Sequence, residues 1–170
     1  MLTRRHLMTG LGAGALMGSV GPAGARTPIE LEWEQLIPEE SKGLLLETLQ
    51  GLGIVEHGQI STPFDQEAAR AVVTDFDGKL VRIPGYAVPL DFSGLGITTF
   101  ILVPYIGACI HVPPPPANQL IFAKASAPFV NDSFWDPIFA TGVIASSLVS
   151  TELAEIGYAM SDVVTEPYTW

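Results

Sequence analysis

From residue 79 onward the hydrophobic pattern of the chain repeats every two residues and is cut at intervals by proline and glycine. No other feature restricts its folding as much. Side chains on an extended strand alternate between two faces, so a period of two sends one row into a core and the other away from it. Segments 79–90 (KLVRIPGYAVPL), 97–112 (ITTFILVPYIGACIHV), 119–125 (QLIFAKA), 137–147 and 156–164 read as strands on this basis. Fourteen Pro and 17 Gly in 170 residues argue against a helical bundle, because each breaks or weakens a helix interior. A hydrophobic share of 48% with only 15% charged residues argues equally against disorder.

Five strands, the second long and bent at Pro104 or Gly107, predict a small OB-like five-stranded barrel in a mainly β (α+β) chain with flanking helices. Val81, Ile83, Phe100, Leu102, Ile121 and Phe122 are the expected core contributors. Ile121 and Phe122 are adjacent, so they should take opposite faces unless a bulge intervenes. Ahead of the strands, residues 28–37 (PIELEWEQLI) alternate polar and apolar and read as an extended arm in which Trp33 and Leu36 pack on the domain. Pro38-Glu39-Glu40 starts a helix whose face is Leu44, Leu45 and Leu49 and which Gly51 and Gly53 stop. Thr62-Pro63-Phe64-Asp65 starts a second helix running through Ala68, Ala69, Val72 and Val73, and Asp77-Gly78 turns the chain. The division is therefore 1–25 export signal, 26–78 arm and two helices, and 79–170 barrel, with 26–170 as one structural unit.

The first 25 residues combine Arg4-Arg5, a Gly/Ala-rich apolar run without acids, and Ala23-Gly24-Ala25 as a cleavage site. Thr3-Arg4-Arg5-His6-Leu7-Met8 resembles a twin-arginine signal, with Leu7 and Met8 at the positions of the usual Phe and Lys. Cleavage leaves six Lys+Arg against 18 Asp+Glu, a charge of −12, with no membrane span remaining. The expected location is periplasmic and soluble. Acidic charge of this size repels phosphate, so nucleic acid is excluded as a partner.

The stretch that general folding explains least is Val103–Gln119, VPYIGACIHVPPPPANQ. Cys109 and His111 are two apart, which on a strand puts both side chains on one face roughly 7 Å apart at the backbone. Thiolate with imidazole suits zinc first and copper second. Pro113–Pro116 follows as an extended rod of roughly 12 Å. Tyr105, Asn118 and Gln119 flank the pair as binding or supporting groups, and His57 is the remaining candidate ligand. Cys109 is the sole cysteine, and an unpaired thiol in an oxidising compartment is expected to be buried, ligated or catalytic.

The runs VRIPGYAVPL (81–90), ITTFILVPYIGACIHVPPPPANQLIFA (97–123) and GYAMSDVVTEPY (157–168) together resemble the bacterial domain-of-unknown-function family 3299. Its pattern is approximately VPYFGACIHVPPPPPNQ; this chain differs by Ile106 and Ala117 and keeps Gly107, Cys109, His111 and Asn118. The resemblance implies an exported or lipid-anchored protein near ABC-type transport functions, without an established catalytic activity. Three functional classes follow. The first is a periplasmic accessory protein that binds zinc or copper for a membrane transport system or a metal-handling protein. The second is an interaction module without metal, using the proline rod and a groove of Tyr86, Tyr105 and Phe122. The third is a thiol-dependent enzyme with Cys109 as nucleophile; side chains two apart on one strand rarely achieve nucleophile-to-base geometry, so a non-enzymatic role is preferred.

Overall fold

The computed structural model describes residues 26–43, 70–105, 115–131, 133 and 135–169. Six strands cross them: β1 (Ile29–Glu30), β2 (Leu80–Ser93), β3 (Gly96–Val103), β4 (Ile121–Phe129), β5 (Ile138–Ser150) and β6 (Glu155–Pro167). The length of β2 lets it serve two neighbours, since Leu80–Gly85 pair with β5 and Tyr86–Ser93 pair with β3. The hydrogen-bonded order then runs β2-β3-β4-β6-β5 and back to β2. This is a closed, mixed five-stranded barrel in the OB-like order, with β4 and β6 its parallel pair. Closure satisfies strand edges within the ring, while β1 lies outside it, parallel to β2.

Period-two alternation sorts the core as its chemistry requires. Val81, Ile83, Phe100, Leu102 and Ile121 are fully buried in one interior cluster, joined by Tyr158 and Met160 from β6. Phe122 takes the opposite face of β4 and packs with a second cluster of Ile101, Val103, Leu120 and Ile156. Thus the adjacent pair divides between faces with no bulge needed. The barrel bends where register shifts: both ladders of β6 slip around Asp162, whose φ of +54° lies in the left-handed region that Asp tolerates better than most residues. Gly142 permits the close approach opposite, because a Cβ there would sit 2.7 Å from the Ser161 carbonyl oxygen.

Where β2 begins, β5 continues past it, and a turn over residues 75–78 covers the exposed stretch. Asp77 accepts from the Ser146 amide at 2.6 Å and from its hydroxyl at 2.7 Å, while the Gly78 amide donates to the Ile144 carbonyl. The Asp77-Gly78 turn therefore blunts an edge as well as reversing the chain.

Several expected boundaries move, each for a tertiary reason. The strand expected over 97–112 ends at Val103, where Pro104, lacking an amide donor, and Tyr105 form a bend. The strand expected from 119 starts at Ile121, because Ala117–Gln119 form a 3-10 turn. The arm over 28–37 is not extended throughout: after β1, Trp33–Leu36 make a 3-10 turn in which Gln35 Oε1 accepts the Glu32 amide at 2.8 Å. That turn buries Leu36, whereas continued extension would have alternated it differently with Leu31, also buried. Residues 39–43 are helical behind Pro38, and Leu44, Leu45 and Leu49 lie outside the described residues. The sequence predicts a second helix running through Val72 and Val73; Arg70 is helical but 71–74 are not. The Ala71 carbonyl and the Val73 amide are instead taken by Asn118 and Tyr158.

Candidate functional site

The Cys-x-His and proline motif falls in the connection between β3, which ends at Val103, and β4, which starts at Ile121. Cys109 and His111 fall within residues 106–114, and His57 within 44–69, so all three expected ligands lie outside the described residues. Among the described residues, no group of three or more His, Cys, Asp or Glu could hold a metal ion. The two ends of the connection are well defined. It leaves from buried Val103 through Tyr105, which packs on the second hydrophobic cluster beside Tyr86 and Phe122. It returns through Pro115 and Pro116, both buried, into the turn Ala117–Gln119.

That turn is a junction. Asn118 and Gln119 are buried polar residues, and a buried amide costs stability unless it is hydrogen-bonded. Asn118 Nδ2 donates to the Ala71 carbonyl at 3.0 Å. Gln119 Nε2 donates to the Trp33 carbonyl and to the Asn118 carbonyl, each at 3.0 Å. Trp33 is held in turn by its indole N–H, which donates to the Pro84 carbonyl at 2.7 Å. Gly157 lets β6 approach, since a Cβ there would meet the Ala117 carbonyl oxygen at 2.8 Å and Val72 Cγ1 at 2.9 Å.

Tyr158, next along β6, completes the junction. Its hydroxyl donates to the Leu36 carbonyl at 2.8 Å and accepts the Val73 amide at 2.7 Å. Burial pushes the phenol up to about 12; the Val73 hydrogen bond opposes that shift and the Asp77 charge adds to it. Three side chains, Asn118, Gln119 and Tyr158, thus bind two backbone segments that are distant in sequence. The arm at 33–36 and the strand-preceding segment at 71–73 are both fastened to the exit of the proline rod. The sequence marked Asn118 and Gln119 through their place after the prolines, and it did not mark Tyr158, Trp33 or Gly157 as their partners. The signal for Gly157 and Tyr158 is that they open the third motif run, and Trp33 reads in the sequence as packing on the domain.

A closed barrel of OB-like order, with its β3–β4 connection latched by buried amides, defines the class of domain. The family model described as a protein of unknown function (DUF3299) matches residues 33–167, and the chain belongs to that family. The crystal structure of a DUF3299 family protein from Pseudomonas aeruginosa PAO1 is similar to it, with 32% identity and a TM-score of 0.64. The similarity covers 85% of this chain and 99% of that one. No curated protein matches.

Proposed function

We propose that the protein is an exported periplasmic accessory protein that binds a transition metal, zinc ahead of copper, through Cys109 and His111 in service of a membrane transport system. The observation carrying this reading is the anchoring of the segment that contains the pair. Its return limb is buried from Pro115 to Leu120 and tied by Asn118 and Gln119 to two other parts of the chain. A connection held at both ends loses less entropy when its side chains converge on an ion. Rigidity after the pair comes from the proline run itself. The test is elemental analysis of protein purified after export, wild type beside Cys109→Ser and His111→Ala. One equivalent of zinc or copper is expected in the wild type and little in either variant. Metal-free wild type that also takes up none under reducing conditions at neutral pH would refute it.

A second reading, a metal-independent interaction module, draws on one specific observation. Tyr86, Tyr105 and Phe122, which are far apart in sequence, pack against the same outer-face cluster. Loss of partner capture in Phe122→Ala, with the metal content of the protein unchanged, would favour that reading.

A further inference from the structure

Asp77-Gly78, which caps the β5 edge, is also the sole Asp-Gly or Asn-Gly step in the sequence. Such a step carries a chemistry of its own, because a glycine amide has no neighbouring side chain to hinder its attack on the preceding carboxyl carbon. In this fold both reacting groups are engaged across the same edge. The β2–β5 ladder ends at Leu80 and Val143 while β5 continues to Ser150, so the turn supplies the next partners. The Gly78 amide donates to the Ile144 carbonyl at 2.8 Å. Asp77 Oδ1 accepts the Ser146 amide at 2.6 Å, and Oδ2 accepts the Ser146 hydroxyl at 2.7 Å. Asp77 and Gly78 are themselves exposed, so water reaches them. Gly78 has a φ of +72° and nothing within 4 Å of where a Cβ would stand. Hydrogen bonds to β5, and not packing, therefore hold the turn in place.

We propose that Asp77-Gly78 is a latent modification site, at which isoaspartate forms when the turn releases β5, and that the product leaves the edge uncapped. In the first step Gly78 N bonds to Asp77 Cγ. The carboxyl hydroxyl and the amide hydrogen leave together as water, and a cyclic imide closes. Water then adds to the backbone carbonyl of the imide, whose bond to Gly78 N breaks. The chain now runs through Cβ and Cγ of residue 77, and its former backbone carbonyl carbon ends as a free carboxylate. Nothing is oxidised or reduced, and the mass is unchanged. Ring closure requires the carboxyl to turn away from Ser146 and the Gly78 amide to leave Ile144, so three hydrogen bonds oppose it while the turn is closed. After the step the backbone is longer by one methylene group. The Gly78 amide then falls out of register with Ile144, and the Ser146 amide loses the carboxylate that covered it.

Prolonged incubation of the full chain below its melting temperature, followed by peptide mapping with electron-transfer fragmentation, tests the proposal. Wild type in urea is the open reference. Native wild type is expected to form isoaspartate at residue 77 about a hundredfold more slowly than the chain in urea. Ser146→Ala removes one of the three hydrogen bonds and should speed the native reaction about tenfold, with an unchanged circular dichroism spectrum. In the isoaspartate form, separated by chromatography, the Ser146 amide should exchange faster than in wild type. Conversion of native wild type at the rate seen in urea overturns the proposal, and so does a Ser146→Ala rate equal to that of wild type. Unchanged exchange at Ser146 in the isolated product overturns the uncapping of the edge.

Discussion

At the scale of single residues, the polar side chains that matter most to this fold are the ones buried where a hydrophobic count would place none. Tyr158 pairs its hydroxyl with a carbonyl and an amide from two different segments. Tyr158→Phe keeps the ring in the core and leaves both backbone groups unpaired, so it should cost about 1–3 kcal/mol by chemical denaturation. The same residue gives a pH signature. Its phenol rises from 10.0 in a free chain to about 12 in the fold. The folded state therefore holds the proton more tightly, its stabilising contribution is complete below pH 10, and it is lost as the pH climbs from 10 towards 12. Wild type should lose up to about 1.4 kcal/mol per pH unit across that window through this group. Tyr158→Phe should show a shallower decline in parallel titrations.

Among the elements, glycines decide how closely the connection and the strands meet. Gly157 faces the Ala117 carbonyl oxygen, a backbone atom that cannot rotate away. Gly157→Ala should push the Ala117–Gln119 turn outward and weaken the Asn118 and Gln119 bonds, for a loss of about 1–3 kcal/mol. Amide exchange at Val73 should speed up in the same variant, since Val72 is the other neighbour of the new methyl group. Surface charges carry less weight: Arg82 meets Glu30 at 3.3 Å and Glu166 at 3.5 Å while lying over the Phe139 ring at 3.5 Å. Exposed ion pairs of this kind contribute about 0–1 kcal/mol. The guanidinium's main effect is to join β1, β5 and β6 on one side of the barrel.

Seen as a whole molecule, the chain closes its ring through β2, which pairs with β5 over Leu80–Gly85 and with β3 over Tyr86–Ser93. The segment that contains Cys109 and His111 follows β3 in sequence and precedes β4. Among the described residues no helix is long and apolar enough to cross a membrane. Export by the twin-arginine route, part of the proposed function, predicts that replacing Arg4 and Arg5 with Lys leaves the precursor unprocessed in the cytoplasm. Normal processing of that variant to a chain beginning at Arg26 would contradict the route.

The sequence by itself determined the barrel. Alternation every two residues is imposed by the geometry of an extended backbone, so Val81, Ile83, Phe100, Leu102 and Ile121 were legible as core from their spacing alone. Asp77-Gly78 was legible as a turn because few other pairs fit a left-handed φ. What only the tertiary structure decided was where the backbone groups between strands find their partners. Val72 and Val73 have a helical spacing in sequence, yet their segment is drawn out of helix by a phenol and an amide that arrive from more than 40 residues away. Phe122 and Ile121 look alike in a hydropathy profile, and strand pairing alone assigns them to different clusters. Local pattern records which face a residue prefers; it holds no record of which distant donor or acceptor will meet it, because that pairing exists only once the barrel has closed.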